Sequence, residues 1–66
     1  MPQKIFIKET PSTINNGTAG LPVVHVEGKE VKENGSVVLT LYVRDMDKQI
    51  AGPYEINQED TEVRDV

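Results

Sequence analysis

The sequence predicts an all-β fold, a small antiparallel sheet of four to five strands. Its arrangement is expected to be a meander or a compact barrel of the SH3 or OB type. Three observations carry this. Apolar and polar residues alternate with period two in several short segments. Gly, Pro, Asn and Asp punctuate the chain between them. No stretch holds the apolar spacing of a helix convincingly.

The first strand is read at 3–9, where Ile5 and Ile7 face one way and Lys4, Phe6 and Lys8 the other. Pro11 ends it, because proline lacks the amide that a ladder needs. The segment "TPSTINNGTAGLP", residues 10–22, then reads as a long loop, far longer than a hairpin requires. The second strand is "VVHVE", residues 23–27, with Val24 and Val26 on one face. Gly28 permits a turn or bulge, and Val31 marks a brief strand or the arm of a hairpin. Asn34-Gly35 suits a type I′ turn, which needs positive φ at both central residues.

"SVVLTLYVR" is the clearest strand and the expected centre of the sheet. Val37, Leu39, Leu41 and Val43 share one face; Val38, Thr40, Tyr42 and Arg44 share the other. That second face is only half polar, so Val38 and Tyr42 are expected to touch something. Asp45 and Asp47 then favour a turn through local side-chain bonds. In the last strand Ile50, Tyr54 and Ile56 alternate with Ala51, Pro53 and Glu55, and Pro53 places part of it on an edge. The domain division is 1–56 as a single β body and 57–66 as an acidic tail, extended or a short helix capped by Asn57.

Composition narrows the function. Leu, Ile, Val and Phe make up 18 of the 66 residues, enough for a folded body but only a small core. The chain has no cysteine and one histidine, which excludes a disulfide and a Cys/His zinc site. A staple being absent, self-association or docking on a partner is the expected route to extra stability. Net charge is −4, concentrated in 57–66, where Glu59, Asp60, Glu62 and Asp65 stand against Arg64. A nearly neutral body without a basic patch argues against nucleic acid. No apolar run reaches the length of a membrane span, and the N-terminus lacks the apolar core of a secretory signal. A soluble chain, cytoplasmic or virion-associated, is expected.

No motif carries chemistry. His25 lies between valines, and neither Ser12 nor Ser36 stands in a nucleophile-elbow pattern. Asp45-x-Asp47 lacks the further ligands of a calcium loop. The sequons Asn16-Gly17-Thr18 and Asn34-Gly35-Ser36 coincide with Asn-Gly pairs that turns favour. The five glycines make no phosphate loop. Three aromatic rings, Phe6, Tyr42 and Tyr54, are too few for a proline-rich-peptide groove or a base-stacking platform. The expectation is therefore no catalytic residue, no cofactor and no metal.

What remains is surface for other proteins. The candidate partner-binding residues are Ile14 and Leu21 in the 10–22 loop, Val38 and Tyr42 on the second face of the central strand, and Tyr54. Leu21 is also expected to anchor the loop to the body. The expected function is a non-enzymatic interaction or structural subunit, a homo-oligomer or a piece of a larger assembly such as a virion. The alternative is a small acidic inhibitor that blocks a host enzyme or regulator through its tail or the 10–22 loop.

Overall fold

The computed structural model describes residues 2–65. Its order is β1 (Gln3–Ile7), α1 (Pro11–Asn15), β2 (Val23–Val31), β3 (Val37–Arg44), β4 (Ile50–Asn57), a 3-10 turn (Gln58–Asp60) and β5 (Thr61–Asp65). The strands form two antiparallel sheets: β2-β3-β4, a meander centred on β3, and β1-β5. They do not close into a barrel.

β3 is central because β2 pairs along one of its edges and β4 along the other. Leu39, Leu41 and Val43 bury their side chains together with Ile56 of β4 and Ile7 of β1. Each such aliphatic side chain contributes about 1.5–3 kcal/mol when fully buried. Leu21, Val23, Val37, Ala51 and Tyr54 pack around this cluster half-buried. The alternation expected for the central strand thus maps directly onto core and outer face.

β2 runs on to Val31, so the doubtful apolar residue there belongs to the same strand. Two irregularities shift its register: Val23 pairs Val43 but His25 pairs Tyr42, and Val26 pairs Leu41 but Gly28 pairs Thr40. Val24 and Glu27 are therefore the extra residues of bulges. Val24 and Val26 do not share a face as simple alternation predicts; Val26 lies opposite Leu41, on the same side as Val23. β4 is an edge strand, in keeping with Pro53. A register shift opposite Tyr42 also breaks its alternation, so that Ala51 pairs Val43 while Ile50 stays 61% exposed.

The two hairpin turns share one design. In the first, the Gly35 N–H donates to the Lys32 carbonyl at 3.0 Å and the Lys32 N–H to Ser36 at 2.7 Å. Gly35 has φ +88°, while among the described non-glycine residues only Lys48 is positive. The turn is thus not type I′: Asn34 keeps a negative φ, and its Oδ1 instead accepts the Ser36 N–H at 3.0 Å. The second turn repeats the pattern with Lys48 in place of glycine: its N–H donates to Asp45 at 2.9 Å, and φ is +63°. Asp45 Oδ1 holds this turn by accepting from the backbone of Asp47 and Gln49, as turn-forming aspartates do.

The 10–22 segment is ordered, and it begins with a helix the period argument does not reveal. β1 stops at Ile7, short of the expected end at residue 9, and Pro11 opens α1 at the start of the helix, where its missing N–H costs nothing. Thr10 caps the helix, and Thr13 reaches back to the Thr10 N–H at 2.8 Å, completing a capping box. The helix stops in a Schellman motif: Gly17, at φ +74°, donates to Ile14, and Thr18 donates to Thr13, each at 3.0 Å. Thr13 and Thr18 are buried, with hydroxyls bonded to the carbonyls of Lys8 and Thr13 respectively.

Asn57 closes β4 and makes no side-chain cap bond; Gln58–Asp60 form a 3-10 turn and Thr61–Asp65 an extended strand, while residue 66 lies outside the described residues. That strand is built into the fold. β5 pairs β1 in unbroken register from Ile7↔Thr61 to Gln3↔Asp65. Residues 20–22 join the two sheets. Ile7 exchanges backbone bonds with Leu21 and Gly20, Phe6 bridges Pro22, and the Arg44 N–H donates to the Pro22 carbonyl at 3.0 Å. Beyond that junction β1 and β2 diverge around a groove of about 390 Å³ between Ile5 and Val23–Val26.

Candidate functional site

Three connections converge at one end of the molecule: α1, the β2–β3 turn and the 3-10 turn. Two long-range bonds tie the 3-10 turn to α1 and to the end of β1. Ser12 Oγ of α1 donates to Asp60 Oδ2 at 3.0 Å, across 48 residues of sequence. The Lys8 N–H donates to the Asp60 carbonyl at 2.7 Å. Asp60 therefore fixes the 3-10 turn against both the end of β1 and the helix.

Two clefts open at this end and meet at Asn57, which pairs Val38 across the sheet. One, about 190 Å³, lies between Ser12, Asn16, Lys32, Val38 and Glu55. The other, about 350 Å³, lies between Gly35–Val37 and Asn57–Glu59. Their walls mix polar and apolar surface and include Glu55, Glu59 and Asp60 with one base, Lys32, which itself sits 3.3 Å from Glu30. Such a surface offers hydrogen bonds and negative charge beside apolar contact.

The candidate residues read from the sequence divide into three groups. Ile14 projects from α1 at this end and is 60% exposed. Val38 lines the smaller cleft. Leu21 and Tyr54 pack half-buried against the core cluster. Tyr42 lies apart, across from His25, with ring centroids 6.1 Å apart and planes tilted by 30°. The structure thus brings Ile14 and Val38 to one end, assigns Leu21 and Tyr54 contacts with the core, and leaves Tyr42 with the imidazole.

The remaining chemistry-bearing side chains are engaged locally. The Ser12 hydroxyl bonds Asp60 and the Ser36 hydroxyl bonds Asn34, so neither is paired with His25. Among the described residues no cluster of three or more His, Cys, Asp or Glu could hold a metal. No helix among the described residues is long and apolar enough to cross a membrane. Asp60, Asn16 and Lys32, which shape the clefts, were not among the sequence candidates. The capping pattern Thr10-Pro11-x-Thr13 with Gly17 was the one local signal of the helix that presents Ser12 and Asn16. The 48-residue contact to Asp60 has no local signal. Comparison with known protein families, curated proteins and solved structures finds no match to this chain.

Proposed function

We propose that this chain is a non-enzymatic protein-interaction subunit whose working end is the convergence of α1, the β2–β3 turn and the 3-10 turn. One observation carries the reading: Ile14 stands exposed on a helix that is capped at both ends and tied to Asp60. An exposed aliphatic side chain on a helix held in place, at the end of the molecule that also carries two clefts, suits recognition of a protein surface. The element order also supports a finer reading of the fold as an SH3-like barrel left open between β1 and β2, in which loops at one end are the natural recognition surface.

The test is capture of a partner from the native source with the full chain. Ile14→Asp and Lys32→Glu should each lower recovery of the same partner, while circular dichroism and thermal melting stay those of the unaltered chain. Equal recovery by both folded variants would exclude this end as the interface.

A second reading has its own observation. Glu55, Glu59 and Asp60 line the clefts, so an inhibitor that occupies a basic site would present this same end. It requires binding that weakens steeply with salt, because exposed charge pairs are screened. Salt-insensitive binding favours the subunit.

A further inference from the structure

The geometry points to β5 as a homodimer edge, on which a second copy pairs its own β5 antiparallel and centred on Val63. This deepens the subunit reading above, by naming one partner as another copy of the chain. It uses a surface separate from the loop end.

The backbone comes first. The Lys8 N–H reaches the Asp60 carbonyl, whereas Ile7 turns its N–H to Leu21 and its carbonyl to Gly20. In an antiparallel ladder this direction alternates along each strand. With the β1–β5 register unbroken, Glu62 and Arg64 therefore turn their backbone groups towards β1, and Val63 and Asp65 turn theirs outwards. The Thr61 N–H is taken by Gln58, but its carbonyl also faces out. Among the described residues this outer edge has no ladder partner.

The outer edges of β2 and β4 carry more obstacles to strand addition than β5 does, and the outer edge of β1 is partly taken up by residues 20–22. β2 carries two bulges together with Glu27, Lys29 and Glu30, and β4 carries Pro53. Bulges, charges and prolines are the devices that stop strand addition. β5 has neither bulge nor proline; its charges, Glu62, Arg64 and Asp65, are of both signs, and its central residue, Val63, is 60% exposed.

The side chains then select a register. With the two-fold axis at Val63, Glu62 of each copy lies opposite Arg64 of the other, at closely spaced positions not bridged by backbone bonds. Val63 meets Val63 and extends the Ile5–Val63 pair into an apolar row across both copies. Asp65 meets Thr61. Moving the axis one residue either way sets Glu62 on Glu62 or Arg64 on Arg64, which repels. In the single chain Arg64 already bonds Glu62 and lies 4.7 Å over the Phe6 ring, so its guanidinium is held on the face where the second carboxylate would arrive.

Sedimentation of the full chain over a concentration series tests this. The unaltered chain should reach twice its monomer mass as concentration rises. Glu62→Arg and Arg64→Glu should each lose the dimer, and mixing the two in equal amounts should restore it, because each then meets its opposite charge. Val63→Pro should also stay monomeric, since it removes an outward N–H and leaves the β1 ladder intact; it serves if a charge variant fails to fold. The Val63 amide should become protected from hydrogen exchange as the dimer forms. A chain that stays monomeric at millimolar concentration, charge variants that dimerise like the unaltered chain, or a dimer with a freely exchanging Val63 amide would each overturn the pairing. A monomer that still loses its partner on Ile14→Asp keeps the loop-end reading and discards only this one.

Discussion

The two sheets are held by different forces. In β2-β3-β4 the structure rests on burial: Leu39, Leu41, Val43 and Ile56 form four of the five buried aliphatic residues of the core. In β1-β5 only Ile7 is buried, and the rest is ladder bonds, the Glu62–Arg64 pair and the stacking of Arg64 on Phe6. The comparison teaches where this small domain is robust. Apolar burial is cooperative and shared among neighbours, whereas exposed ion pairs contribute little each. The β1-β5 sheet is therefore the weaker one, and the outer edge of its β5 has no ladder partner among the described residues.

The contrast can be broken most severely at Leu41. Leu41→Ala leaves a cavity at the centre of the core and should cost about 2–5 kcal/mol, read from urea denaturation. Next comes Gly52→Ala. Gly52 holds φ +141°, and an added Cβ would stand 3.0 Å from both the Leu41 carbonyl oxygen and the Tyr42 ring. Backbone strain and crowding together should cost about 2–4 kcal/mol in the same assay.

Thr13→Val sharpens the comparison from the loop that joins the sheets. It keeps the volume but removes the hydroxyl that serves Thr10 and Lys8 in a buried position, and should cost about 1–3 kcal/mol. A loss well below that range would mean the 10–22 segment is looser than its bonds imply. The smallest effect is expected in the terminal sheet. Arg64→Ala in dilute protein should cost less than about 1 kcal/mol, since its pair with Glu62 and its contact with Phe6 are both exposed. A larger loss would show β1-β5 to be as cooperative as the core.

Much of the architecture was legible in the sequence where its cause is local. The alternation of Val37–Val43 identified the central strand and its buried face, and Pro53 identified an edge. Asp45 announced its turn through its own short side chain. The sequence misled where one extra residue changes the parity of a strand. Val24, Glu27 and the shift opposite Tyr42 each exchange inside for outside, and alternation has no term for a bulge. Helix α1 was missed because it is too short to show a period; its evidence lay in the caps, Thr10, Pro11 and Gly17. Of the candidate site, Ile14 and Val38 were visible as apolar residues out of place, while Asp60 looked like one more acid in a charged terminus.

By itself the sequence determined an all-β chain with β3 at its centre, no disulfide and a concentration of acid near its end. These follow from periodicity, turn chemistry and composition, each set by residues within a few positions of one another. Only the tertiary structure decided that residues 61–65 return to pair with 3–7, that Asp60 ties down α1, and that the outer edge of β5 carries Glu62, Val63 and Arg64 in a self-complementary order. Those outcomes depend on contacts between distant parts of the chain, where the entropy of closing a long loop is offset by the combined burial of Ile7 and the β3 core.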